Sequence, residues 1–188
     1  DNLSDQDKAR DYIAKIRSSS DYLLSLINNV LEMARIESGK TELDESSISL
    51  KSLDSVYWLF ESQMKEKNID FTWNVNVKHN NILCDVVKIK EILMNIINNA
   101  YKYSLPGDSV AVKIDELPCD RDGYVRIRTV VSDTGIGMSE DFLEHIFEDF
   151  SREQTSTESG QFGTGLGMAI VKKIVDLCLL YTSPSPRD

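Results

Sequence analysis

Two asparagines spaced by four, Asn95 and Asn99, share one face of an amphipathic stretch with Glu91 and Lys102. Two carboxamides and a lysine on an otherwise apolar helix need polar partners, because an unpaired buried amide is costly. Water or neighbouring loops satisfy many such faces; the glycine pattern downstream shifts the reading toward a ligand. Asp133-Thr134-Gly135-Ile136-Gly137-Met138 places a carboxylate before two glycines, which permit tight turns and close approach of the backbone to a ligand. Farther on, Gly163-Thr164-Gly165-Leu166-Gly167 leads directly into an apolar run from Met168 to Val175. Glycines at a helix start leave N–H groups and the positive dipole end available to phosphate oxygens. No Gly-Lys-Ser/Thr follows and no Rossmann context precedes, so neither cluster is a P-loop or a dinucleotide fingerprint. Between the clusters lie Phe147 to Arg152 and a polar, aperiodic run from Glu153 to Gly160, a composition that suits a lid. Arg152 could reach a phosphate or simply face water. Taken singly, each cluster is also an ordinary turn.

The elements that must position these residues follow from periodicity. Ile89, Leu93, Ile96 and Ala100 recur at spacings of four, three and four, predicting a helix from Asp85 to Ser104 with one buried stripe. Ile69, Phe71, Trp73, Val75 and Val77 alternate with polar residues as a strand does, and a short polar loop with His79 follows. Val110, Val112 and Ile114 predict a second strand; Val125, Ile127, Thr129 and Val131 predict a third, antiparallel to the second and ending at Asp133. A helix from Ser52 to Lys67 is expected, capped by Ser52, with Leu53, Val56, Leu59, Phe60 and Met64 inward.

Ahead of this α/β pattern, Ser4 to Ser38 reads as one long helix ending at Gly39. Ile13, Ile16, Ser20, Leu23, Ile27, Val30 and Ala34 form a seam, widened by Tyr12, Leu24, Leu26 and Leu31, which fits a helical bundle. A single amphipathic helix cannot bury its own stripe, so a partner helix from this molecule or another copy is expected. Docking on the following domain is the lesser alternative.

The 188 residues, 41% hydrophobic, suffice for one compact domain with an appendage. A net charge of -10 excludes broad nucleic-acid or anionic-membrane binding while leaving room for a small anion in a local pocket. Cys84, Cys119 and Cys178 form no C-x-x-C pair, which suits a reducing, cytoplasmic setting, and no signal peptide or membrane-length apolar run is visible.

In their order, the Asn-bearing EILMNIINNAYKYS, D-T-G-I-G-M, I-F-E-D-F-S-R and G-T-G-L-G-M segments resemble the N, G1, F and G2 boxes of sensor histidine kinases. LLSLINNVLEMARIESGK resembles the second dimerisation helix and connector of that family, notably in hybrid sensor kinases. The resemblance implies an α+β fold: a two-layer α/β sandwich of the gyrase–histidine kinase–MutL ATPase type, with helices on a mixed, mostly antiparallel sheet and one long helix in front. It implies a dimerisation helix and connector over residues 1–45, an ATP-binding catalytic domain over 46–178, and a disordered or foreign tail over 179–188.

Carried onto this sequence, the family roles give Asp133 the adenine amino group and Asn99 a Mg²⁺ ion bridging the ATP phosphates, with Asn95 positioning them one turn away. Asn95 stands where related ATPases carry a water-activating glutamate; a carboxamide cannot act as general base, which favours transfer over hydrolysis. The catalytic set is then Asn95, Asn99 and Lys102. Lys102 and Tyr103 approach the phosphates and ribose, Gly135 and Gly137 shape the pocket, and the Gly163, Thr164, Gly165, Leu166 and Gly167 turn meets the phosphates, with Arg152 a lesser contact. The implied partners are ATP, an acceptor-histidine helix, a response-regulator receiver domain and, in the full protein, a second copy; no nucleic acid is implied.

Two features depart from the family. His79 and His145 lack the acceptor box, so the phosphoryl acceptor is expected upstream of this sequence. The family continues after the last helix with a glycine turn and two strands, whereas Ser-Pro-Ser-Pro cannot supply a central strand. The expected function is transfer of the ATP γ-phosphoryl to a histidine for relay to a response regulator. The alternatives are a nucleotide-binding or dimerisation module without transfer and, more weakly, an anti-sigma-type serine kinase.

Overall fold

The computed structural model describes residues 6–39, 41–153 and 164–178. Helix α1 spans Gln6–Glu37 and stops where expected: Gly39 takes φ +65° and its N–H bonds the Ile36 carbonyl at 3.0 Å. The α/β part then runs β1 (Ser46–Ser49), a 3-10 turn (Leu50–Leu53), α2 (Asp54–Glu66), β2 (Asp70–Asn76), β3 (Asn81–Cys84), α3 (Val86–Tyr103), β4 (Ser109–Leu117), β5 (Arg126–Asp133), α4 (Glu140–Leu143) and α5 (Gly167–Leu177). Strands β2, β4 and β5 form one sheet, with β2 parallel to β4 and β5 antiparallel to β4. Strands β1 and β3 pair antiparallel as a small second sheet. This mixed sheet covered by helices, with a long helix ahead of it, is the expected α+β architecture.

The main core joins the inner faces of α2, α3 and β4: Val56, Phe60 and Met64 meet Leu93, Ile97 and Ala100 over Val110, Val112 and Ile114. A second core joins α1 to α5, with Met33 against Leu166, Ala169, Ile170 and Ile174. Helix α3 is held at both ends. Asp85 caps its start, accepting from the Lys88 N–H at 3.0 Å and also from the Asp44 N–H at 3.1 Å. At its C-terminus the Lys67 ammonium donates to the Tyr101 carbonyl at 2.8 Å.

Several expectations are corrected. Ser52 does not cap α2; Ser49 caps the preceding 3-10 turn instead, and α2 begins at Asp54 without a side-chain cap. Leu53, Val56, Phe60 and Met64 are buried as expected, but Leu59 lies beside that stripe and is half exposed. On α3 the deepest position is Ile97, not Ile96, because the stripe through Leu93, Ile97 and Ala100 faces the sheet. The loop after His79 contains β3, which pairs with β1; both strands are only four residues long, and β3 alternates in burial without an apolar–polar alternation in its sequence. Helix α1 does dock on the following domain, through its C-terminal half. Its seam residues Ile13, Ile16, Leu23, Ile27 and Val30 remain exposed. The tail over 179–188 lies outside the described residues.

Candidate functional site

Three side chains of α3 at i, i+4 and i+8 define one face: Asn95, Asn99 and Tyr103. The two glycine clusters meet α3 at different points, one at the Asn95 side chain and the other at the backbone of its last residue, Tyr103. At the first, a Cβ on Gly167 would come within 3.1 Å of Asn95 Oδ1. At the second, a Cβ on Gly135 would collide with the Tyr103 carbonyl and approach its carbon to 2.8 Å, and the Ile136 N–H donates to that carbonyl at 3.1 Å. Eight residues of α-helix span about 12 Å, with Asn99 midway. The glycines are therefore required for contact with α3, not only for turning the chain.

The strand end is fixed by short-range bonds. The Thr134 N–H donates to the Ser109 carbonyl at 3.0 Å, and its hydroxyl accepts from the Ser109 N–H at 3.0 Å, tying the end of β5 to the start of β4. The half-buried Asp133 carboxylate accepts from the Gly135 N–H at 3.0 Å, a bond that aims it along the turn. Gly137 takes φ +73°, which keeps the chain curling beyond Ile136.

The second glycine turn lies on the segment after α4. Gly165, at φ +72°, brings its Cα so close that a Cβ would sit 2.8 Å from the Phe150 carbonyl carbon and 2.9 Å from the Ser151 oxygen. Phe150 is itself left-handed, at φ +62°. Arg152, itself exposed between half-buried Ser151 and Glu153, follows immediately after this contact. Lys102 extends to the neighbouring phenol, its Nζ 3.1 Å from Tyr103 Oη and 4.8 Å from the ring centre. Asn95 Nδ2 donates to the Glu91 carbonyl at 3.0 Å, leaving its oxygen directed at Gly167. Gly163 and most of the polar lid run lie outside the described residues.

The structure thus brings Gly135, with Asp133 bonded to it, against the C-terminal end of α3 at Tyr103, and Gly167 against Asn95 two turns earlier, with Asn99 between them along the helix. A half-buried amide row between two glycine turns, one ending in a carboxylate and one opening a helix, can hold an elongated ligand with a hydrogen-bonding base and an anionic tail.

Residues 84–181 match the model of the Histidine kinase-, DNA gyrase B-, and HSP90-like ATPase family. The chain belongs to this family. It is 30% identical over 173 residues to the autoinducer 2 sensor kinase/phosphatase LuxQ of Vibrio cholerae, an alignment covering 91% of this chain and 20% of the relative. It is 33% identical over 175 residues to the circadian input-output histidine kinase CikA of Synechococcus elongatus, covering 91% and 22%. The crystal structure of full-length ShkA in complex with AMPPNP superposes with a TM-score of 0.71 at 34% identity, over 89% of this chain and 33% of that one. The chain therefore spans about a fifth of the length of these curated relatives. Among the described residues, no helix of this ATPase-family chain is long and apolar enough to cross a membrane.

Sequence reasoning missed the way α1 reaches the site. Asn29 Nδ2 donates to Thr164 Oγ1 at 3.2 Å. Lys88 on α3 is bonded to Glu32 on α1 and, at 3.1 Å, to Glu91. Lys173 on α5 is bonded to Glu37 on α1 and lies 4.0 Å from Asp149. A signal was present: Tyr22, Leu26, Asn29, Met33 and Ile36 recur at spacings of four and three, a second stripe beside the outward seam.

Proposed function

We propose that this chain is the ATP-binding catalytic region of a two-component sensor histidine kinase. The observation that carries the reading is that both glycine turns close on the stretch of α3 from Asn95 to Tyr103, one at the Asn95 side chain and one at the Tyr103 carbonyl. Asp133 accepts from the adenine amino group, while Gly135 and Gly137 keep the backbone close enough for the base to enter. The amide row carries the phosphates toward the Thr164–Gly167 turn, whose N–H groups lie at the start of α5. AMPPNP, held by the 34% identical ShkA, is an ATP analogue of this shape.

Asn99 would supply an oxygen ligand to Mg²⁺, which would offset phosphate charge. The residues of this chain then have a positioning task. They hold the γ-phosphorus in line with an incoming imidazole nitrogen and stabilise charge on the phosphoryl oxygens. A nitrogen–phosphorus bond forms, the bond to the bridging oxygen breaks, and ADP leaves. The acceptor histidine comes from a separate helix that packs on the outward α1 seam, where a second copy would complete a bundle. A receiver-domain aspartate takes the phosphoryl group next, in the cytoplasm. By this reading residues 1–45 belong to the dimerisation region and 46–178 to catalysis.

The test supplies γ-labelled Mg-ATP together with a separate acceptor-helix domain. Transfer gives an acid-labile, base-stable phosphoramidate on that domain. ATP binding without label on the acceptor would leave a nucleotide-binding module in place of the kinase.

A further inference from the structure

One phosphate-side amide is already engaged by the protein itself. Leu166 stands at the N-terminal boundary of α5, where backbone N–H groups have no intrahelical carbonyl and are suited to phosphate oxygens. Its N–H instead bonds Thr164 Oγ1 at 3.3 Å. The same oxygen accepts from Asn29 Nδ2 of α1 at 3.2 Å. The Leu166 side chain is meanwhile fully buried in the core that Met33 of α1 shares with Ala169 and Ile170. Helix α1 therefore holds this one residue by its side chain directly and by its backbone through Thr164.

We infer that Asn29 is a positioning residue which, through Thr164, keeps the Leu166 amide occupied, so that seating of α1 and binding of nucleotide phosphate oppose each other. The inference rests on the nucleotide reading above and adds a regulatory contact to it. A threonine hydroxyl and a phosphate oxygen cannot both hold one N–H in good geometry. For phosphate to take the amide, Thr164 must turn away, and in turning it gives up the Asn29 donor. The coupling is reciprocal: bound phosphate loosens α1 by the factor by which seated α1 weakens phosphate binding. The bond joins α1 to the phosphate-side turn across 135 residues of sequence, so a shift of α1 reaches the site directly.

The experiment measures the affinity of the purified chain for AMPPNP and for adenosine by calorimetry. Losing one neutral hydrogen bond that opposes binding should tighten AMPPNP by roughly 2- to 10-fold in Asn29→Ala. Asn29→Leu, which keeps side-chain volume without the donor, should do the same. Adenosine, which carries no phosphate, should bind all three proteins equally, and Asn28→Ala at the exposed neighbouring position should match the parent chain. Unchanged AMPPNP affinity in both Asn29 variants overturns the inference, as does equal tightening of adenosine, which would indicate general loosening. A parent chain that binds neither compound overturns the nucleotide reading itself, a distinct result.

Discussion

The carboxamide oxygen of Asn95 lies where a Cβ on Gly167 would reach within 3.1 Å of it. One residue of the amide row and the first residue of α5 are thus fitted to each other. In Gly167→Ala the methyl group must displace the Asn95 side chain, which is already bonded to the Glu91 carbonyl. In an Asn95→Ala background that obstacle is gone. A double-mutant cycle read by thermal denaturation should give a favourable coupling of about 0.5–2 kcal/mol for the pair. Strict additivity would mean that Asn95 is not what Gly167 accommodates.

Gly135 is the more demanding position. A Cβ there meets the Tyr103 backbone, which cannot swing aside as a side chain can. Gly135→Ala should lower stability by about 1–3 kcal/mol, the range for overpacking a fitted interior. Its neighbour offers the contrasting result. Asp133→Asn keeps the shape and the fold but exchanges an acceptor-only group for an amide, so the melting temperature without nucleotide should barely change. The stabilisation on adding ADP, about 2.7 kcal/mol at a hundredfold excess over Kd for the parent chain, should largely vanish. An undiminished thermal shift would remove Asp133 from the base site.

Much of this arrangement was legible in the residues, and the exceptions have physical causes. Helix α3 was readable because its apolar stripe, its Asp85 cap and its Ser104 end all agree. Strands β4 and β5 were readable because one face of each packs on the core and so alternates. By contrast, β1 and β3 each have only four residues, and although β3 alternates in burial, its exposed Leu83 is as apolar as its half-buried Ile82, so the sequence shows no alternation. The error at Ser52 arose because a 3-10 turn precedes α2 and moves the helix start by two positions. For α1, the outward seam is the stronger apolar pattern and concealed the half-polar stripe that faces α5. That stripe contains Asn29, whose partner Thr164 is remote in sequence; only the three-dimensional fold pairs them.

Lys88 joins α1 to the Asn-bearing helix by bridging Glu32 and Glu91. Burial alone would lower its pKa, but hydrogen bonds to the two carboxylates outweigh burial and raise it. The bridge is therefore intact at neutral pH, and on the alkaline side its contribution is lost as pH rises through that raised value. Lys88→Met should destabilise the chain by about 1–3 kcal/mol, since it leaves two partly buried carboxylates facing each other. Glu32→Gln should cost less, because Glu91 still pairs with the lysine. The reverse order in urea denaturation would show that Glu32 stabilises the chain through contacts other than the one to Lys88.

Glu116, near the end of β4, gives the clearest pH signature. One of its oxygens accepts from the Lys78 and His79 N–H groups at 2.7 and 2.8 Å, and the other lies 2.8 Å from His79 Nδ1. The carboxylate thereby holds the chain between β2 and β3. The His79 backbone hydrogen bond, helped by its ring and by Lys78, lowers the pKa from the ordinary 4.5. A carboxyl group with a lowered folded-state pKa stabilises the fold fully above its unfolded value and loses that contribution as pH falls through the folded value. Glu116→Gln should therefore be less stable than the parent chain at neutral pH. The gap should begin to close as pH drops below about 4.5, the ordinary carboxylate value, and should disappear in stronger acid. Urea denaturation of both proteins across that range checks the sign. A gap that persists unchanged into acid would mean that charge on Glu116 contributes nothing, and that its oxygens act only as neutral acceptors.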